Sequence, residues 1–335
     1  MSTAPRTRIL GTGHYLPEIV RTNADLEKLV DTTDAWIRER TGILERRIAP
    51  VGIVTSDMAR FAAERALEAA GVKATELDMI IVGTVTPDMP MPATAVFLQQ
   101  KLGAGNCPAF DLSAACAGFI FGLSIADQFV RSGSMKRILV VGVELLSRVI
   151  DWSDRATCVL FGDGAGAVVL GPGDEMDARG RPRGILSTKV LTDGSLAQSL
   201  MIPGGGSAMP TTHEVVEQKK TKVFMRGSDI FKVAVKNLYS ASRNALDAAG
   251  LGPDDVDWIC PHQANLRIID QAVNRLPMPR EKVLMNIDRV GNTSSASIPI
   301  LLDESVRSGK VKPGDTVLMC ALGAGISWGS ALVRM

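Results

Sequence analysis

The chain has 335 residues, 46% hydrophobic, 22% charged and only 4% aromatic, with a formal net charge of +1. That balance supports a large buried core and excludes a disordered or fibrous chain, and the near-zero charge gives no reason to expect nucleic acid or an anionic membrane as a partner. Five scattered cysteines (Cys107, Cys116, Cys158, Cys260, Cys320) have no Cys-x-x-Cys spacing, which argues against a disulfide framework and for a reducing cytoplasm. The N-terminal residues lead into no signal-like apolar block, and the longest apolar stretches, such as Ile138 to Val143, are strand-sized.

In chain order, residues 66–83 (ALEAAGVKATELDMIIVG) predict a helix stopped by Gly71, an acidic linker, Asp78 and a buried strand over Met79 to Val82. The proline-rich loop from Thr86 to Pro92 precedes a helix that Pro92 is expected to open at its first turn. Pro108 to Leu112 reads as a short apolar strand. Gly118 to Val130 reads as a helix with Phe119, Leu123, Ala126, Phe129 and Val130 on one stripe.

Cys116 lies between these two elements, in Asp111-Leu112-Ser113-Ala114-Ala115-Cys116-Ala117-Gly118. A cysteine at a strand-to-helix turn faces unpaired N–H groups and the positive helix end, so a lowered thiol pKa and a nucleophilic thiolate are expected. Small neighbours leave room for a substrate. The competing reading at this point is an inert buried cysteine.

Further on, Ser132 to Lys136 leads to a strand at Ile138 to Val141. Gly162-Asp163-Gly164-Ala165-Gly166-Ala167 lacks the GxGxxG spacing and reads as a bend between strands at Val159 to Phe161 and Val168 to Leu170. The segment from Gly171-Pro172-Gly173 to Gly184 is expected to join two halves, 1–171 and 172–335. A second glycine-rich loop follows at residues 203–210.

Residues 245–262 (ALDAAGLGPDDVDWICPH) then repeat the pattern of residues 66–83 with Gly250 on Gly71. Ser308 to Lys312, leading to Thr316 to Met319, repeats Ser132 to Lys136 at nearly the same offset. Two similar α/β halves follow, with largely parallel sheets covered by helices.

The repeat puts His262 where the first half has Gly83, at the carboxyl end of a strand, where ligands of parallel sheets bind. The other two histidines, His14 in an early turn and His213 in a polar loop, are read as incidental. Arg289 to Ser297 clusters small and hydroxyl residues before an apolar helix. Serine or threonine capping explains part of that run, and Asn292 after Gly291 offers an amide for a developing anion. The glycine-rich bend from Ala321 to Gly329 brings a backbone N–H near a ligand, and with the Cys116 N–H forms a candidate oxyanion hole. No credible metal-ligand set is present, since Cys260 and His262 stand alone.

DLSAACAGF, PHQANLRI, GNTSSAS and GAGISWGSALV together resemble the signatures of the 3-oxoacyl-[acyl-carrier-protein] synthase III family of thiolase-like condensing enzymes. The likeness runs from GTGHYLPE through TNADLEKLV and DTTDAWIRERTGI to the last strand. The resemblance implies an α/β thiolase-like fold of duplicated βαβαβαββ halves in five layers, α-β-α-β-α. It also implies a cytoplasmic homodimer whose substrates are acyl-CoA and malonyl-acyl carrier protein, with no resident cofactor or metal.

By the same resemblance, Cys116 accepts the acyl group, while His262 and Asn292 stabilise the enolate left by loss of CO2. The N–H groups of Cys116 and Ala324 form the oxyanion hole. Two half-reactions at one cysteine imply ping-pong kinetics. Thr32, Trp36, Arg40, Arg155, Phe231 and Asn265 match CoA contacts; a planar indole and guanidinium groups suit a base and phosphates. Without the family, Trp36 reads as a core aromatic of an amphipathic helix.

Lys232, Lys236, Arg267 and Arg275 match a docking patch for an acidic carrier protein. Met91 stands where familiar members have a phenylalanine that closes the acyl pocket from the partner subunit, so a primer preference extending beyond acetyl is expected. The thiolase base cysteine aligns with Ala321, leaving Cys320 as core. The alternative within the same fold is a starter-unit condensing enzyme or acyltransferase of polyketide or other secondary metabolism.

Overall fold

Two sheets organise the chain, and most of the apolar runs read above supply their strands. The computed structural model describes residues 6–335. The first sheet holds β1 (Arg6–Tyr15), β2 (Met79–Gly83), β3 (Ala109–Leu112), β4 (Ile138–Glu144) and β5 (Gly164–Gly173), in the order β1-β5-β4-β2-β3. The second holds β6 (Gly184–Thr192), β7 (Trp258–Pro261), β8 (Thr316–Gly323) and β9 (Ser327–Arg334), in the order β7-β8-β9-β6.

The main helices are α1 (Asp34–Thr41), α2 (Thr55–Ala70), α3 (Thr94–Leu102), α4 (Gly118–Arg131), α5 (Gly227–Ala249), α6 (Leu266–Val273) and α7 (Ser297–Arg307). α2 and α3 cover the outer face of the first sheet, α4 and α7 fill the space between the sheets, and α5 and α6 cover the second. The five layers α-β-α-β-α follow. The central layer is the most apolar: Phe119, Ile120 and Leu123 of α4 meet Ile298, Leu301 and Leu302 of α7 in one buried cluster with both sheets. Each such side chain contributes about 1.5–3 kcal/mol on burial.

The duplication is visible element by element. Gly71 and Gly250 both end their helices in the left-handed region, at φ 62° and 66°, where glycine carries no steric cost. β2 answers to β7, β4 to β8, α2 to α5 and α4 to α7. On the same alignment Cys116 falls on Ser295, Ser113 on Asn292 and Glu144 on Gly323. The short 3-10 turns Ala115–Ala117 and Ser294–Ala296 are also equivalent, and both open on a residue with positive φ, Ala115 at 46° and Ser294 at 49°. Among the described residues the second sheet has no counterpart of β3 beyond a single parallel bridge between Ile259 and Val283.

Four expectations need correction. The sheets are mixed rather than largely parallel: β2 runs parallel to β3 and β4, and β7 to β8, but β4–β5, β5–β1, β8–β9 and β9–β6 are antiparallel. Only Ala324–Ile326 separates β8 from β9, too short a connection for a parallel crossover. Gly171-Pro172-Gly173 is the end of β5, paired with Arg8, Thr7 and Arg6, rather than linker. β4 begins only at Ile138, opposite Leu170, so proline sits where the sheet has narrowed to two strands.

Pro92 does not open α3. The helix starts at Thr94, and the Asp111 carboxylate accepts the Thr94 and Ala95 N–H groups at 2.7 and 2.8 Å, satisfying its positive end. Finally, Val159 to Phe161 is no strand. It follows the short helix Arg155–Cys158 and reaches extended pairing only at Phe161, opposite Asn292.

Candidate active site

The carboxyl ends of the two sheets meet around Cys116. The residue sits in the turn before α4, only 7% exposed, and the second sheet presses against it from below. A Cβ on Gly323, the last residue of β8, would fall 2.6 Å from the Cys116 nitrogen, so only glycine lets the two backbones approach. Burial pushes the Cys116 thiol up to about 12, and the nearby Glu144 carboxyl adds to this, while the Ser294 hydroxyl opposes it. The lowered pKa expected from the helix start is therefore not found. Desolvation of the anion outweighs the helix end in the empty site.

His262 follows β7 and is 2% exposed. Its backbone N–H donates to Cys320 O at 2.8 Å, extending the parallel ladder by one residue. The neighbouring Gln263 is tied on three sides, donating to Pro261 O and accepting from the Asn286 and Ile287 N–H groups. Among the described residues, the buried Nδ1 of His262 has no hydrogen-bond partner, and burial drives the imidazolium pKa down to about 3. A proton on that nitrogen would be an orphaned buried donor, costing about 1–3 kcal/mol. The ring is thus neutral, and a proton on Nε2 would make that nitrogen its donor.

Asn292 is fixed as firmly. Its N–H donates to Leu160 O at 2.9 Å and its carbonyl accepts from Gly162 N–H at 3.0 Å. Gly291 before it has φ 65°, and a Cβ there would lie 2.9 Å from Leu160 O. The Ser294 N–H donates to Asn292 Oδ1 at 2.9 Å. A backbone N–H can only donate, so the amide oxygen is committed and the NH2 group is the free end.

Cys116, His262 and Asn292 all line one narrow cavity of about 140 Å³, with Phe231 and Asn265 among its walls. Cys116 also lines a wider apolar cavity of about 630 Å³, together with Met91, Phe110, Leu146, Ile202 and Ala324. Cys116, with Phe161 and Leu200, lines both spaces and so forms part of the partition between them. Met91 is 84% exposed at the outer edge of the wide one.

The remaining candidates divide into two groups. Arg40 and Arg155 each lie 4.9 Å from the Trp36 ring, and Arg155 donates to Asp31 O beside Thr32. Asn265 donates to Arg40 O at 3.0 Å, which joins this cationic aromatic cluster to the narrow cavity. Trp36 is only half-buried on α1. Lys232 and Lys236 are exposed on α5, Arg267 in the first turn of α6 and Arg275 just beyond it, and Arg267 is already paired with Glu39 at 3.5 Å.

His14 is away from the site, bound to the buried Asp303 with Thr12 and Arg307, and His213 starts a short exposed helix. Cys320 is buried in the core, outside both cavities. Among the described residues no group of three or more histidine, cysteine or acidic side chains could hold a metal, and no helix is long and apolar enough to cross a membrane.

Two residues escaped the sequence reading. Glu144, at the end of β4, has its carboxylate buried against the Ser294 turn. Arg46 is wholly buried behind Gly162 and Gly291.

Residues 110–194 match the profile of 3-oxoacyl-[acyl-carrier-protein] synthase III, and residues 246–335 that of its C-terminal part. A beta-ketoacyl-[acyl-carrier-protein] synthase III of Xanthomonas campestris pv. campestris is 53% identical over the full length of both chains. The chain belongs to the 3-oxoacyl-[acyl-carrier-protein] synthase III family. It is a condensing acyltransferase.

The crystal structure of the Aquifex aeolicus synthase III superposes with a TM-score of 0.90 at 47% identity, covering 98% of this chain and 100% of that one. The priming β-ketosynthase of the R1128 polyketide pathway also superposes at 0.90, with 40% identity over 100% of this chain and 98% of its own. Fold alone does not separate these two enzymes, whereas relatives 51–53% identical over 97–100% of both chains are synthases III.

Proposed function

We propose that Cys116, His262 and Asn292 carry out a decarboxylating condensation of an acyl-CoA primer with malonyl-acyl carrier protein. The observation that carries this reading is that Cys116, His262 and Asn292 line one narrow cavity, with the Asn292 amide oxygen already committed to the Ser294 N–H.

In the first half-reaction the Cys116 sulfur attacks the thioester carbonyl, a new C–S bond forms and the bond to CoA breaks. The thiol proton leaves with the CoA sulfur, so a thiol that is neutral at rest suits the exchange. The N–H groups of Cys116 and Ala324 receive the oxyanion. The acyl chain then occupies the wide apolar cavity, bordered by Met91.

In the second half-reaction the malonyl C–CO2 bond breaks, and its electron pair passes into an enolate. His262 Nε2–H and Asn292 NH2 donate to that oxygen; loss of one such donor costs about 10²–10³ in rate. The carbanion attacks the acyl-cysteine, and the released thiolate takes a proton from water. No step calls for a cofactor.

Trp36, Arg40, Arg155 and Thr32 would receive the nucleotide end of CoA, with Phe231 and Asn265 along its arm. Lys232, Lys236, Arg267 and Arg275 would dock the carrier protein. A homodimer acting in the cytoplasm completes the reading, and its wide cavity favours primers beyond acetyl.

The test is to incubate the protein with acetyl-, isobutyryl- and hexanoyl-CoA and locate the modified peptide by mass spectrometry. Malonyl-carrier protein is then added and the product identified. Acylation at Cys116 followed by a 3-oxoacyl product two carbons longer is expected. A product formed at normal speed by Cys116→Ser overturns the assignment.

A further inference from the structure

Glu144 is a wholly buried carboxyl that the reaction above leaves without a task. It terminates β4 at the carboxyl end of the first sheet, where its counterpart in the second half is Gly323. Its oxygens accept from the Thr86 hydroxyl at 2.8 Å, the Val85 N–H at 3.1 Å, the Thr84 hydroxyl at 3.3 Å and the Ser294 hydroxyl at 3.1 Å. The Ser295 hydroxyl lies at 3.2 Å but points its single proton more closely at Gly83 O, 2.7 Å away. No cation is among these partners. A buried carboxyl so placed is retained at a cost in desolvation, offset only by its donors.

The duplication explains the location. The turn Ser294–Ala296 is the second half's copy of the nucleophile turn, with Ser295 where the first copy has Cys116 and Gly83 where the second has His262. It rests directly on β4: a Cβ on Gly142 would fall 2.2 Å from Ser295 O. Glu144 therefore fills the mirror-image site that the duplication left without a nucleophile.

From there it reaches the working site by a short chain of contacts. Ser294 holds Glu144 through its hydroxyl and Asn292 Oδ1 through its N–H. The Thr84–Thr86 segment that Glu144 also binds contributes Thr84 and Val85 to the wide cavity, beside Cys116 and Ser294.

We propose that Glu144 is a positioning residue for the malonyl half-reaction, holding the Ser294 turn so that the Asn292 amide keeps its NH2 group aimed at the enolate. The role rests on the proposed assignment of Asn292 as an enolate donor. Cys116 acylation, which does not use Asn292, is not slowed when Glu144 is changed, since the carboxyl only opposes thiolate formation.

The experiment compares wild type, Glu144→Gln, Asn292→Ala and the double variant. CO2 release from carboxyl-labelled malonyl-carrier protein reads the malonyl half-reaction, and mass spectrometry reads Cys116 acylation by acyl-CoA. Glu144→Gln should lower the kcat of CO2 release about 10²-fold, the cost of misplacing a catalytic group by about 1 Å. KM for malonyl-carrier protein and the acylation rate should each stay within about threefold. In the double variant, Glu144→Gln should add less than about twofold to the loss caused by Asn292→Ala, because the two act as one unit.

Equal loss of both half-reactions, or fully multiplicative losses in the double variant, overturns the positioning role. Should Glu144→Gln not fold, Ser294→Ala breaks the same chain of contacts and should lower CO2 release by enzyme already acylated at Cys116; full CO2 release by that variant overturns the role as well. A wild-type enzyme that is acylated but releases no CO2 overturns the proposed function itself and the Glu144 role with it.

Discussion

The buried guanidinium of Arg46 donates to the Val159 carbonyl at 2.8 Å. It also donates to Arg21 O at 3.1 Å and Asn23 Oδ1 at 2.9 Å, and meets no carboxylate among these partners. Burial lowers its pKa to about 10, so it remains a cation at neutral pH. Val159 leads into the stretch whose Leu160 O and Gly162 N–H flank Asn292. Arg46→Met would take the guanidinium donor from two buried acceptors and one partly buried one, and a loss of about 3–5 kcal/mol in unfolding free energy is expected from urea denaturation. Arg46→Lys should lose less, because one charged donor remains. Arg46→Met matching wild type in midpoint and slope would show that Arg46 carries no such load.

Cys116 should behave as a high-pKa thiol in the free enzyme. Iodoacetamide attacks only the thiolate, so the alkylation rate constant should rise about tenfold per pH unit from pH 7 to 9 without levelling off. Acyl-CoA should protect. A plateau near pH 7 would return the residue to the low-pKa class that the helix start suggests.

Glu144 should leave a mark on stability against pH. Burial raises its carboxyl to about 7, with hydrogen bonds from Thr86, Val85, Ser294 and Ser295 pulling the other way; Cys116 is the titratable group that faces it. Since the ordinary value is 4.5, the native state binds more protons than the unfolded state between those limits. This group's contribution is therefore full below about pH 4.5 and falls as pH rises to about 7. The unfolding free energy of wild type minus that of Glu144→Gln should drop by about 1–3 kcal/mol across this window. Parallel pH curves for the two proteins would remove the claim.

Met91 borders the wide cavity, and a ring there should shorten it. Met91→Phe is expected to shift kcat/KM toward acetyl-CoA and away from hexanoyl-CoA by about tenfold, the scale of a methylene-sized change in an apolar pocket. Unchanged ratios among acetyl-, isobutyryl- and hexanoyl-CoA would show that Met91 does not gauge the primer.

What was readable in the sequence follows from what a local pattern can encode. The repeat placed His262 at a strand end because helix, Gly250 and strand share one order with Gly71 and β2. Cys116 and Asn292 stood out as chemistry-bearing side chains among small residues. The thiol's pKa was misjudged because a helix start is visible in sequence, whereas the depth at which Gly323 seats the turn is not.

The mixed sheets were missed because strand direction depends on what the connections between β4 and β5, and β8 and β9, can span. Arg46 hides in the charged run Glu45-Arg46-Arg47, which by composition alone reads as solvated surface. Glu144 ends an apolar strand with no spacing to mark it. Its importance arises only when the second half folds Ser294 onto it.

The partition on which Cys116 sits gives the enzyme a front room and a back room. On the proposed function, the arm that delivers the primer and the arm that delivers the extender share the front room, so the spent donor has to vacate before its successor enters. Free CoA should accordingly crowd out the incoming carrier protein while leaving the chain already stored behind the sulfur undisturbed.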